Sequence, residues 1–139
     1  MTDVTAFNER TIAEFRRNDG KVGGPFAGAP LLLLHTTGAR SGKPRVNPMM
    51  YLADGGRYLV FASKAGSDRN PDWYWNLRAE PRARIEVGDR TLDVRAVELD
   101  GAERDEKYQV QAEHYPGFAE YQRMTDRVIP VIALVPDRD

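Results

Sequence analysis

Cysteine is absent from this chain of 139 residues. Its absence removes disulfide staples, thiol nucleophiles and thiolate metal sites together, and suits a reducing compartment. Histidine is nearly absent: His35 and His114 are the only two and stand far apart. Neither belongs to an HExxH-type spacing, so no metal centre is expected. An excess of one charge is also missing. The 20 Lys and Arg balance 21 Asp and Glu, and the pI is near 6.1, which argues against a nucleic acid partner. No apolar run approaches the ~20 residues that span a bilayer. The start, Met1-Thr2-Asp3-Val4-Thr5, lacks the basic and apolar blocks of a signal peptide. The expectation is a cytoplasmic protein, with at most weak, peripheral contact at the inner face of the membrane.

The ordinary apolar share, 41%, supports an unstapled core in one domain spanning residues 1–139. A short N-terminal helix is predicted over residues 6–17, with Thr5 as a cap and Val4, Phe7, Thr11 and Phe15 on one face. Asn18-Asp19-Gly20 ends it, and the Gly- and Pro-rich stretch 21–30 reads as loop. Strands are predicted at 31–37, 46–53 and 57–63, the last two joined by Asp54-Gly55-Gly56. Asn70-Pro71 reads as a cap plus first helical residue for a helix ending before Pro81. Alternating segments around Ala83–Val87 and Leu92–Ala96 flank Gly88-Asp89 as a second hairpin. Asp100 and Glu103 have capping-box spacing for a helix to about His114. Tyr115-Pro116-Gly117 breaks that helix, and a helical turn runs to Met124. A last strand covers 128–135, where Pro130 suggests an edge or a bulge. Six short strands joined mostly by hairpins predict a mainly β fold with helices: a small, largely antiparallel, closed or half-closed barrel.

The densest chemical signal is Thr37-Gly38-Ala39-Arg40-Ser41-Gly42-Lys43-Pro44-Arg45, which sets three cations in a Gly/Pro turn between two apolar runs. Arg40 and Arg45 could clamp a phosphate, with Ser41 and the Gly42 backbone as further donors. The composition also suits a solvated hairpin loop. Its length and single sign of charge favour one small anionic ligand. It is not a Walker A loop, because no Gly-Lys-Ser/Thr opens a helix. Ser63-Lys64-Ala65-Gly66 reads either as a strand exit or as a pocket rim where Ser63 donates to a ring carbonyl. Asp72-Trp73-Tyr74-Trp75-Asn76 sets three aromatics in one helical turn. They cannot share one face, so at least one lies over a flat ligand or stands as an exposed wedge beside two core residues. Tyr115, Phe118 and Tyr121 form a stripe that is either core or the mouth of a pocket where a phenol orients or protonates a substrate. Ser63, His35 and Asp54 supply triad residue types, but no nucleophile elbow accompanies them.

Taken in order, Arg17-Asn18-Asp19-Gly20, Thr36-Thr37-Gly38, Ser41-Gly42-Lys43-Pro44-Arg45-Val46-Asn47-Pro48, Ala62-Ser63-Lys64-Ala65-Gly66, Asn70-Pro71-Asp72-Trp73-Tyr74, Tyr115-Pro116 and Thr125-Asp126-Arg127-Val128-Ile129-Pro130 form a specific series. It resembles the deazaflavin-dependent nitroreductase family of actinobacteria, also described as F420H2-dependent quinone reductases. The resemblance runs from about Arg16 to Pro136. It implies a split β-barrel of the flavin-reductase-like kind, coenzyme F420, and hydride transfer to a quinone or similar flat acceptor, nitroaromatics included.

By resemblance, Ala39, Arg40, Ser41 and Arg45 line the region of the cofactor phosphate and tail. Val46, Asn47, Pro48, Met49 and Met50 run along the cofactor. Phe61, Ala62, Ser63 and Lys64 meet its head, and Asp72, Trp73, Tyr74, Trp75 and Asn76 flank it. Tyr115, Phe118 and Tyr121 lie toward the acceptor, and Ser63, Tyr115 and Tyr121 are the catalytic candidates. Ala39 stands where some relatives carry a basic residue, which implies weaker tail binding. Phe118 replaces a Tyr of some relatives, which favours quinones over nitroimidazoles. The rival readings are a non-catalytic F420 or flavin carrier, and the same barrel using FMN or haem. Monomer and homodimer are both compatible with the sequence.

Overall fold

The computed structural model describes residues 4–18, 20 and 30–137. Helix α1 (Val4–Arg17) is followed by strands β1 (Leu31–Thr37), β2 (Pro44–Met50), β3 (Leu52–Asp54) and β4 (Arg57–Phe61). A 3-10 turn (Lys64–Gly66) leads to α2 (Asp72–Ala79), β5 (Arg82–Val87) and β6 (Arg90–Leu99). Helices α3 (Gly101–His114) and α4 (Gly117–Arg123) then precede β7 (Val131–Pro136). All seven strands form one sheet in the order β2-β1-β5-β6-β7-β4-β3, and every pairing is antiparallel.

The two edge strands of this sheet, β2 and β3, are separated in the chain by Tyr51 alone. One bent segment therefore pairs with β1 through its first half and with β4 through its second. The sheet curls round on itself as a split barrel of the flavin-reductase-like kind, largely antiparallel as expected. The single strand predicted over 46–53 is thus two. At the bend the Tyr51 N–H leaves the ladder and donates to the Pro30 carbonyl (3.2 Å). The Tyr51 ring packs edge-on against Tyr58 at 5.3 Å.

Strand alternation sorts the core. Leu32 and Leu34 of β1, Val60 of β4, Ile85, Val94, Ile132 and Leu134 point inward and pack with Trp73, Tyr74 and Leu77 of α2. On the outer face Leu31 and Leu33 meet Phe15 of α1. Leu59, Phe61, Val131 and Ala133 meet Tyr108 of α3 and Phe118 of α4. Strand β1 is covered on both faces, which explains its unbroken Leu31-Leu32-Leu33-Leu34. Among the described residues no helix is long and apolar enough to cross a membrane.

Several local expectations need correction. Pro130 lies just before β7, which is an interior strand and neither an edge nor a bulge; the Pro130 carbonyl accepts from Ala62 N–H at 3.0 Å. Pro71, not Asn70, occupies the cap of α2. Asp100 is the cap residue of α3 as expected but makes no side-chain cap bond, and the Glu103 carboxylate, which would complete a capping box, pairs instead with Arg57 at 2.9 Å. Thr5 lies inside α1 rather than before it. That helix ends as foreseen at Gly20, whose φ of +95° closes a bond from its N–H to the Phe15 carbonyl (2.8 Å). The expected loop at 21–30 falls, except for Pro30, outside the described residues.

Two half-buried carboxylates fasten the outer layer. Glu86 of β5 accepts from Arg16 of α1 at 2.8 and 3.1 Å and meets His35 Nε2 at 2.6 Å. Asp54 accepts from Arg57 Nε (2.8 Å) and from Lys107 of α3 (3.1 Å). The Arg16 bond holds Glu86, and the Arg57 bond holds Asp54, below the ordinary carboxylate range. Both groups therefore take up protons in the unfolded chain before they do in the folded one. Their stabilisation is complete above the ordinary range and is lost as pH falls through the lowered folded values. The melting temperature is expected to fall over that acid window, and Asp54→Asn with Glu86→Gln should flatten the fall in a pH series of thermal melts. Gln111 of α3 is fully buried, and neither of its amide atoms has a hydrogen-bond partner among the described residues. Gln111→Met should therefore raise stability by about 1–3 kcal/mol in urea titrations.

Candidate active site

Between β1 and β2 the chain makes the cationic turn. The Gly38 N–H donates to the Lys43 carbonyl (2.8 Å) and the Gly42 N–H to the Gly38 carbonyl (2.9 Å). The Ser41 hydroxyl accepts from the Lys43 N–H at 3.1 Å. A Cβ on Gly38 would stand 2.6 Å from Ser41 Oγ and 3.3 Å from the Lys43 carbonyl, so a side chain there would have to displace the Ser41 hydroxyl from its bond to the Lys43 N–H. Asn76 of α2 fastens the turn from below. Its Oδ1 accepts from the Ala39 N–H (2.9 Å) and its Nδ2 donates to Thr36 Oγ1 (3.1 Å). Both Asn76 and Thr36 are buried. One amide thus joins β1, the turn and α2.

These bonds use the backbone and the Ser41 hydroxyl, and leave the cations over. Arg40, Lys43 and Arg45 are exposed, and none has a side-chain partner among the described residues. Arg40 and Arg45 border a cleft of about 1100 Å³. Its walls are the turn and the start of β2 (Arg40, Ser41, Arg45, Val46, Asn47), α2 (Asp72, Trp75, Asn76) and α1 (Asn8, Glu9, Ile12). The α1 wall was not foreseen, since nothing in the spacing of residues 8–12 announces a contact with residues 38–47.

The aromatic helical turn divides as its geometry demands. Trp73 and Tyr74 are core residues, and the Tyr74 hydroxyl donates to Glu98 at 2.8 Å. Burial, helped by Glu98, pushes the Tyr74 phenol up. Trp75 is 49% exposed and stands on the cleft wall. It offers the cleft that Arg40 and Arg45 line a flat apolar face, with the Arg78 guanidinium 5.9 Å from its ring centroid.

The other candidates gather at a second place. Ser63 caps the 3-10 turn Lys64–Gly66, which packs against α4. Lys64 holds φ +44°, the only left-handed non-glycine among the described residues. Gly66 has φ +82°, and a Cβ there would meet Met124 Cβ at 3.0 Å and Tyr121 Cα at 3.2 Å. Phe61 and Phe118 are buried in edge-on contact at 5.6 Å, and Tyr121 stacks edge-on against Phe118 at 5.4 Å. Tyr115 and Tyr121 are half-buried, and their hydroxyls have no hydrogen-bond partner among the described residues. Tyr108 differs: its hydroxyl donates to the Phe118 carbonyl at 2.6 Å. Burial pushes this phenol up to about 12, so it stays protonated and occupied.

Strand β2 connects the two places. Val46 packs with the α1 cluster, Met49 with the barrel interior, and Met50 with both outer clusters. All five residues from Val46 to Met50 are half-buried. As an edge strand, β2 carries no ladder on the side away from β1, and Pro48 is tolerated there. The side chain of Ala62 is fully buried, so at that position only backbone can face a ligand. The triad residue types do not assemble: His35 meets Glu86, while Asp54 is held by Arg57 and Lys107.

The curled, antiparallel split barrel with its cationic cleft places the chain in the flavin-reductase-like class of barrels. The profile of the F420H(2)-dependent quinone reductases matches residues 8–136, and the chain belongs to that family. An F420H(2)-dependent quinone reductase of Mycobacterium tuberculosis is 40% identical over 126 residues, covering 88% of this chain and 85% of the relative. A solved F420-H2 dependent reductase, FDR-A, is 44% identical with a TM-score of 0.69, over 76% of this chain and 93% of its own. A structure described as a domain-swapped dimer is 41% identical with a TM-score of 0.71, over 94% of this chain and 96% of its own.

Removing the Asn76 amide leaves the Ala39 N–H and Thr36 hydroxyl without their partner. Asn76→Ala is expected to cost about 1–3 kcal/mol in denaturant unfolding, with loosened amide protons at Ala39 visible by hydrogen exchange.

Proposed function

We propose that this chain binds coenzyme F420 in one domain over residues 1–139 and transfers hydride from its reduced form to a quinone. The observation carrying this reading is the pair Arg40 and Arg45, without side-chain partners among the described residues, in one 1100 Å³ cleft with the exposed indole of Trp75, in a chain of the F420H(2)-dependent quinone reductase family. The donor set fits the group. Arg40, Lys43 and Arg45 suit a phosphate and an acidic tail, because guanidinium forks and an ammonium pair with such oxygens. Trp75 offers a face for a ring or chain passing over it. Ala39 gives the tail no charge, so tail binding is weaker than where a cation stands.

The chemistry supplied by reduced F420, when bound, is hydride donation. The chain's task is placement. The unladdered edge of β2 from Val46 to Met50 guides the cofactor from the cationic turn toward the 3-10 turn. Ser63 and Lys64 hold its head by hydroxyl, ammonium and backbone N–H groups, and so fix the distance to the acceptor. The free hydroxyls of Tyr115 and Tyr121 orient the acceptor and pass a proton to it. Phe118 and Phe61 exclude water beneath them. With a buried phenyl at 118, quinones are the preferred acceptors over nitroimidazoles. The location we propose is the cytoplasm. The domain-swapped relative makes a homodimer the proposed assembly, which sedimentation tests.

Arg45→Ala is expected to weaken F420 binding by about 1–3 kcal/mol, the worth of a charge-assisted hydrogen bond, in a fluorescence titration. An unchanged affinity refutes the placement. Stopped-flow mixing of the F420H2 complex with menadione separates a reductase from a carrier, since only the reductase oxidises F420H2 rapidly. Binding of FMN or haem in preference to F420 would sink the cofactor assignment.

A further inference from the structure

The segment Thr125-Asp126-Arg127-Val128-Ile129-Pro130 has so far no part in the site. Its arginine, however, reaches across to the loop that follows β4. Arg127 Nε donates to the Ser67 carbonyl (2.8 Å), and Nη1 to Asn70 Oδ1 (2.7 Å). Nη2 donates to both the Ala62 carbonyl (3.1 Å) and the Ser63 carbonyl (3.0 Å). All four acceptors are neutral, and three belong to the backbone. They bracket the 3-10 turn whose Lys64 is held at φ +44°, a conformation that a lysine adopts only when its surroundings impose it. The geometry points to Arg127 as the positioning residue of the ring-binding turn: by gripping residues 62, 63, 67 and 70 it sets the backbone on which the deazaflavin head would rest. This rests on the site reading above.

Arg127 is itself held in place. Its carbonyl accepts from Gln122 Nε2 (2.7 Å), and the Gln122 Oε1 accepts in turn from Arg104 Nη2 (2.7 Å) and from the Ile129 N–H (3.1 Å). Arg104 also donates twice to the Ile129 carbonyl, at 3.0 and 2.8 Å. Two arginines and one glutamine therefore tie α3 and α4 to the turn. A lysine cannot replace Arg127, because one ammonium cannot reach four acceptors spread around a planar fork.

The test compares the parent protein, Arg127→Lys, Asn70→Ala and Arg45→Ala. Each is titrated by fluorescence with F420 and with its deazaflavin–ribityl head fragment, which lacks the phosphate and tail. Arg127→Lys should lose roughly tenfold in affinity for both probes, as for lost charge-assisted bonds. Arg45→Ala should lose affinity for F420 and none for the head fragment. Hydrogen exchange separates this from a general loosening of the protein: amides of the 62–67 segment should exchange faster in Arg127→Lys, while the β1, β5 and β6 ladders keep the parent's protection. If Arg127→Lys does not fold by circular dichroism, Asn70→Ala, which removes one strut, must show a smaller loss of the same pattern. Head-fragment affinity unchanged in the folded variants overturns the proposal and leaves the site reading intact. Failure of the parent protein to bind either probe overturns the site reading, and this proposal with it.

Discussion

The bend at Tyr51 is the constraint on which this molecule depends. Because one segment serves both ends of the sheet, β1 and β4 are drawn to opposite sides of it and the sheet must curl. Curling turns one face of every strand into an enclosed apolar interior, which α2 fills with Trp73, Tyr74 and Leu77. The other face is left for helices, and α1 and the α3–α4 pair cover its two ends. The same bend leaves an edge of β2 without a ladder. Unpaired backbone beside a cleft is a liability in an isolated sheet, and here it lies along the path proposed for the cofactor.

Two pairs of arginines stand in contrast. Arg104 and Arg127 have filled their forks with carbonyl and amide oxygens, and so act as internal struts. Arg40 and Arg45 have no such partners among the described residues. A guanidinium whose donors are satisfied adds rigidity; one whose donors are idle at a cleft wall retains its full capacity for an anion.

Much of this was legible from residue order because it depends on local chemistry. The hairpins at Asp54-Gly55-Gly56 and Gly88-Asp89, the break at Tyr115-Pro116-Gly117 and the end of α1 at Gly20 follow from turn residues, and the structure places them where expected. The cationic turn was visible because glycine, proline and three cations fall within nine residues. Cap positions were read less well. Glu103 had a stronger partner in Arg57, and Asn70 in Arg127. Both partners lie far away in the chain, so no local rule could weigh them.

Residue order by itself determined the strand and helix types, the antiparallel pairing of neighbours and the cationic composition of the 38–45 turn, since each arises from contacts a few residues apart. Only the tertiary structure decided that β7 is an interior strand, that α1 walls the cleft, and that Trp75 faces out while its two neighbours face in. It alone gave Arg127 and Asn76 their tasks. An arginine or an amide carries the same donors wherever it stands, and which acceptors they meet is settled only when distant segments are packed together.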